Sequence, residues 1–301
     1  MFPIIPANSA AAGFSQNEEG IFAFGVTTSE VAISSLVSNT GVVSSDVAAV
    51  GTPRTTATAC EYGDDKGIVF GGTSPATGVM GRTNLVSNSG VVQSDTTAVA
   101  GVTARSVPGG CDYGGDKGIV GFGSDGSVTN VTNLISNVGV VAADQAATTG
   151  TARYKIAACE YGDDKGIFGY GETDTNVSMT NLVSNTGVVS SDVAGVGTAR
   201  NALAACRYGS GTGIFGFGDG SVTNVTNLIS NVGVVASDQA ATTGTARMRI
   251  AATQYGGDKG IFGFGYVTTA ITNLVSNGGV VATDTAGVGT ARYSPAACSF
   301  N

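Results

Sequence analysis

The segment Ala152–Gly171, ARYKIAACEYGDDKGIFGYG, decides the fold, because variants of it recur six times along the chain. Arg153 to Tyr161 is a run of small and apolar residues, Gly162 to Gly166 is rich in Gly and Asp, and Ile167 to Tyr170 is apolar again. Two apolar runs flanking a short turn-forming stretch read as a β-hairpin. Working outward, the Gly-Ile pair of this hairpin returns at Gly20, Gly67, Gly118, Gly166, Gly213 and Gly260, a mean spacing of 48 residues. A period of that length belongs to propellers and related arrays.

Each unit reads alike. An Ala-rich strand such as Tyr154 to Tyr161 comes first and GIFGFG or a variant second. A third strand runs through TNLVSN, as at Thr180 to Asn185, and a fourth begins at Gly-Val-Val, as at Gly187 to Val189. Four short strands per unit is the content of one propeller blade. Blades that stack face to face cover their middle strands on both sides, which suits Ile167, Phe168, Val188 and Val189. Ala157, Ala158 and Cys159 suit the crowded axis, where overpacking costs about 1–3 kcal/mol.

The chain begins its pattern at the second strand of a unit (Gly20 to Gly25) and finishes with a lone first strand, Ala291 to Phe300. The expectation is therefore an all-β, six-bladed β-propeller of four-stranded blades over residues 18–301. The C-terminal strand completes the first blade, leaving no unpaired inner edge. Residues 1–17 lack the repeat and read as a tail or attachment segment.

Composition fits this reading. The 301 residues include 47 Gly and are 42% hydrophobic but only 12% charged, as befits a turn-dense β protein. A formal charge of -8 without a basic cluster disfavours nucleic acid and anionic lipid as partners. The opening MFPIIPANSAAAGF lacks a basic n-region, so no secretion signal is expected, and no stretch approaches spanning length, so no membrane insertion either. Cys60, Cys111, Cys159, Cys206 and Cys298 occupy one repeat position, filled by Thr253 in the remaining unit. An odd set with a Thr substitute reads as buried filler rather than a disulfide framework.

The order of Arg, small apolar strand, turn, Gly-ending strand and Val-Val strand resembles the kelch arrangement, without its Trp. A closer likeness covers about residues 18 to 301. The phrases at Tyr255–Gly265, Thr180–Val189 and Gly195–Arg200 resemble repeats of tail-associated and fibre-associated proteins of tailed bacteriophages. That resemblance implies a virion component, assembled in the host cytoplasm, with other virion proteins or a host surface glycan or receptor as partners. A lectin-like propeller and an intracellular kelch-like interaction scaffold are the alternatives.

Two residues recur once per unit. Asp46, Asp95, Asp144, Asp192, Asp238 and Asp284 follow the Val-Val strand, and Arg54, Arg105, Arg153, Arg200, Arg247 and Arg292 close the unit. Sixfold recurrence reads as structural pairing, each Asp tying the outer strand or its loop to the next inner strand. The turn Gly162 to Lys165 lacks the alternating oxygen ligands of a calcium loop, so no metal and no cofactor are expected. The chain has no His, which removes the usual nucleophile triads and the commonest general base, and no catalytic residue is assigned. Variation between units marks the candidate binding surface: Ser74, Met80 and Arg82 in the long loop of the second unit, and Tyr154, Lys155, Asn201, Met248, Arg249 and Tyr293 in the inner-strand triplets.

Overall fold

The structure, a computed structural model, describes residues 17–300 apart from 49, 147, 149, 241 and 243. The proposed tail thus lies outside the described residues except for its last member, Asn17, which is buried. Among the described residues there is no helix, and none is long and apolar enough to cross a membrane.

Strands pair into small antiparallel, blade-like sheets. In the first, the order is Ala296–Phe300, Glu19–Ala23, Ile33–Val37 and Val47–Ala48. The other five each hold a leading, a middle and a trailing strand. These are Thr58–Tyr62, Lys66–Phe70 and Thr83–Val86 in the second, and Gly109–Tyr113, Lys117–Gly121 and Thr132–Ile135 in the third. The fourth has Ala157–Tyr161, Lys165–Gly169 and Thr180–Val183, and the fifth has Ala204–Tyr208, Thr212–Gly216 and Thr226–Ile229. The sixth has Ala251–Tyr255, Lys259–Gly263 and Thr272–Val275. Thr73–Ser74 and Gly78–Val79 form a separate two-stranded pair in the long loop of the second unit.

The C-terminal strand joins the N-terminal sheet as expected, with Ile21 opposite Cys298 and Glu19 opposite Phe300. It occupies the place that a sequence-local hairpin fills in every other sheet, for example Cys159 opposite Ile167.

Two expectations are corrected. The leading strand begins at Ala157, not Tyr154, because Lys155 has φ +54°, outside the extended range. Among the described residues the fourth strand shrinks in the second to sixth sheets to isolated bridges, as between Val183 and Val189, and the first sheet alone carries a short fourth strand, Val47–Ala48. After the turn at Gly187, Ser184 accepts the amide of Val188 through its hydroxyl, and the chain then departs to deliver Asp192 to its partners. Val188 is consequently exposed, at 65%, instead of covered.

Ile167 and Phe168 are fully buried, as expected of middle-strand residues. Each such side chain contributes roughly 1.5–3 kcal/mol on leaving water. Neighbouring sheets meet through edge-to-face aromatic pairs, such as Phe122 with Phe168 at 5.2 Å and Tyr170 with Phe215 at 5.0 Å; Phe22 of the first sheet meets Phe264 of the sixth at 5.1 Å. The leading strands also pack against one another in succession, second to third through sixth to first, and Ala296–Phe300 packs against Thr58–Tyr62.

The cysteines are free and buried. Their role follows from the glycine at the head of each middle strand. A Cβ on Gly166 would lie 2.5 Å from Sγ of Cys111, and one on Gly67 would lie 2.4 Å from Sγ of Cys298. Missing side chains on one sheet make room for thiols on the next, so two repeated sequence features are one joint.

Candidate functional site

Six arginines are buried at one end of the sheets, each before a leading strand. Arg153 donates from Nε to the carbonyl of Tyr170, from Nη1 to that of Thr151 and from Nη2 to Oδ1 of Asn181. Asn181 in turn donates to Asp192, which also accepts the amide and hydroxyl of Thr151. The guanidinium lies over the Phe122 ring of the preceding sheet, 4.5 Å from its centroid.

The pairing is offset from the sequence reading. Arg54 pairs with Asp95, Arg105 with Asp144, Arg153 with Asp192 and Arg247 with Asp284, at 3.3 to 4.0 Å. Arg200 reaches Asp238 through Asn227. Each Arg thus joins the leading end of a sheet to the trailing end of the same sheet. Arg292 pairs with Asp46 at 3.3 Å, linking opposite ends of the chain. Burial works against ionisation of these aspartates, yet the Thr hydroxyl and amide, the Asn or Ser side chain and the Arg outweigh it and hold all six below the usual range. Burial also draws Arg153 down to about 10, which leaves it charged at neutral pH. These twelve residues are framework.

The leading strands enclose a cavity with two unlike mouths. At one, the turns before the strands place Thr56, Val107, Lys155, Ala202, Arg249 and Ser294, all with φ between +49° and +56°. Consecutive copies are linked by backbone bonds: the amide of Val107 donates to the carbonyl of Thr56, that of Lys155 to Val107, and so on to Ser294. Left-handed β-branched residues are costly, about 1–3 kcal/mol each, and persist where surroundings over-determine them. Beneath lies an apolar lining that includes Pro108, Ile156, Leu203, Ile250 and Pro295.

Most of the triplet residues singled out from sequence gather here. Lys155 forms an ion pair with Glu172 at 2.7 Å, Tyr154 donates its hydroxyl to the same carboxylate, and the Asn201 amide donates to it as well. Burial disfavours the charge on Glu172, but Lys155 and Tyr154 prevail and lower its pKa. Arg249 is exposed between Tyr266 and Tyr293, 5.8 and 5.6 Å from their ring centroids, and the two rings meet edge to face at 5.4 Å. Met248 is half-buried and bridges to Tyr266.

The long loop behaves differently. Ser74 and Met80 are buried, at 2% and 3%, at the base of the Thr73–Val79 hairpin, where the amide of Met80 donates to the carbonyl of Gly72, while residues 75–79 at its tip are exposed. Arg82 reaches Asp95 at 3.7 Å beside Arg54. The first two are packing residues and correct the expectation of a rim surface; Arg82 is attached to the framework.

The opposite mouth was missed by sequence reasoning. The position after each Cys, or after Thr253, reads Glu61, Asp112, Glu160, Arg207, Gln254 and Ser299 between nearly invariant neighbours. Folding brings Glu61, Asp112, Glu160, Arg207 and Gln254 onto one cavity, joined by Asn17. Arg207 forms ion pairs with Glu160 and with Asp163, the latter at 2.6 Å. Burial, reinforced by Asp112, pushes Glu61 up to about 8. Burial likewise raises Glu160 and Asp112; Asp112 adds to the rise of Glu160, and Arg207 opposes the rise of both. Among the described residues no group of three His, Cys, Asp or Glu is arranged to hold a metal ion.

No family model matches this chain, and no curated protein matches it.

Proposed function

We propose that the chain is a closed six-bladed β-propeller acting as a rigid, non-catalytic binding scaffold, whose Lys155–Arg249 mouth receives a partner. The observation that carries closure is that the contacts between the sixth and first sheets repeat those between consecutive sheets. Phe22 meets Phe264 as Phe168 meets Phe122, and Arg292 lies over Phe264 as Arg153 lies over Phe122. Rigid placement of strained, unlike residues on one mouth supports binding there, since a scaffold that fixes its loops spends little ordering entropy on association.

The resemblance of the repeat phrases to those of phage tail-associated and fibre-associated proteins supports a place in a virion, with another virion protein or a host surface receptor on that mouth. Cross-linking mass spectrometry on purified particles, with Lys155 as the reactive amine, tests this. Cross-links from Lys155 to another virion protein are the expected result; particles lacking the chain refute the virion reading.

A carbohydrate-binding reading has one specific observation in its favour, the Tyr266–Tyr293 pair beside Arg249, since aromatic rings next to a cation suit sugar stacking and acidic sugars. A glycan array probed with wild type and Tyr293→Ala separates the two readings. Binding lost on substitution favours the sugar, and an empty array favours the protein partner.

A further inference from the structure

We propose that the acidic mouth is a receptor for a primary ammonium group, carried by a small diamine or by a lysine side chain of a partner. This does not rest on what binds at the opposite mouth. Glu61, Asp112 and Glu160 face one space together with Gln254 and Asn17. Arg207 supplies one positive charge there, engaged with Glu160 and Asp163. The carboxyl groups are pure acceptors once ionised, and the two amide oxygens accept at any pH.

A second observation points to a ligand independently of the acids. Gln254 and Asn17 are 4% and 2% exposed, and among the described residues no group donates to Oε1 of Gln254 or Oδ1 of Asn17. Nδ2 of Asn17 donates to Oε2 of Glu61 at 2.9 Å, which fixes the amide with its oxygen as a free acceptor. A buried acceptor without a donor costs roughly 1–3 kcal/mol. Two such acceptors beside carboxylates call for a species that is both cationic and rich in N–H groups.

Shape selects among cations. The described acids do not converge as metal ligands, and hard cations need several oxygens within about 2.3–2.6 Å of one point. A guanidinium offers its donors in a flat fork, whereas these acceptors come from separate segments around a narrow space of about 20 Å3. An ammonium, compact and with three radial donors, suits that arrangement.

Proton linkage follows. Glu61 is flanked by Asp112, Glu160 and Arg207, by the thiols of Cys60 and Cys298, and by Asn17 and the Ser299 backbone, with Asp64, Asp116 and Asp163 nearer the rim. With its pKa at about 8, Glu61 holds a proton at neutral pH, which an arriving ammonium displaces.

The test is isothermal titration calorimetry of the full chain with 1,4-diaminobutane, with Nα-acetyl-lysine methylamide and with CaCl2, at pH 6.5 and 8.5. At least one amine is expected to bind, at least threefold tighter at pH 8.5, with proton release read from buffers of different ionisation enthalpy. Binding of the diamine alone assigns a small molecule, and binding of the lysine compound assigns a partner's side chain. The double variant Glu61→Gln/Asp112→Asn is expected to weaken binding at least tenfold; Gln254→Met, which removes one acceptor without changing charge, is expected to weaken it as well and stands in if the double variant does not fold. Absence of amine binding at millimolar concentration and pH 8.5, undiminished affinity in the variants, or calcium binding tighter than either amine overturns the proposal.

Discussion

Arg200 shows how much one side chain organises. Its guanidinium donates to the carbonyls of Phe217 and Thr198 and to Oδ1 of Asn227, and it stacks 4.3 Å over the Tyr170 ring of the preceding sheet. Arg200→Ala strips donors from three buried or half-buried acceptors and leaves a gap, so a loss on the order of 3–5 kcal/mol is expected in denaturant melts. Ligand affinity of the folded fraction should stay at the wild-type level. Titration adds a second expectation with two limbs. The six framework aspartates have lowered pKa values in the fold, so their contribution is present above the unfolded value near 3.9 and lost as pH falls through the folded values. Glu61 has the opposite sign. Raised to about 8, it contributes stability fully below its ordinary value of about 4.5 and loses it as pH rises through about 8. Melting temperature should therefore peak near pH 5 and decline on both sides, and Glu61→Gln should flatten the alkaline limb. A wild-type maximum above pH 8 contradicts this assignment.

Elements are joined by paired omissions and insertions. Gly166→Ala would bring a new Cβ within 2.5 Å of Sγ of Cys111. A loss of about 1–3 kcal/mol is expected, and adding Cys111→Ala should recover part of it. A double-mutant cycle on chemical denaturation measures that coupling; additivity of the two losses would deny the contact. At this scale the sequence was legible where a residue's meaning is local. The 48-residue spacing located the hairpins, and Asn-x-Gly located the turn at Gly187. It misled where two backbone courses share one composition. Gly187-Val188-Val189 has strand-forming side chains, yet the need to carry Asp192 back to Thr151 and Arg153 reduces the pairing to two separate bridges, Val183 with Val189 and Thr180 with Val193. Ser74 and Met80 looked like a variable rim because length variation resembles exposure, whereas they sit at the buried base of the inserted hairpin and only its tip, residues 75–79, is exposed. The acidic mouth was illegible for a further reason. Glu61, Asp112 and Glu160 are each one residue in a strand, and they become a site only when sheets distant in sequence turn the same edge inward.

For the whole molecule, the decisive interface lies between the chain's two ends. Removing Ala291 to Asn301 takes away the strand paired with Glu19–Ala23, the Arg292 link to Asp46 and the thiol of Cys298 that fits against Gly67. The truncated chain should fail to fold cooperatively by circular dichroism and calorimetry, and an unchanged melting temperature would rule out the proposed closure. The complementary remnants at the two ends of the repeat pattern predicted that the last strand completes the first sheet, and Ala296–Phe300 pairs antiparallel with Glu19–Ala23. The charge asymmetry between the mouths, Lys155 and Arg249 against Glu61, Asp112 and Glu160, had no such counterpart in the sequence, since each repeat contributes at most one of these charges to either mouth.

The pairing of Glu19 with Phe300 has one more consequence. It duplicates a register found in every other sheet, where a covalent turn joins the same two strands. Suppose the old ends were tethered by a short linker and the backbone were cut instead in the solvent-facing turn at Gly126, where a methyl group added to the glycine would meet nothing within 4 Å. The rearranged chain would then find the same neighbours throughout.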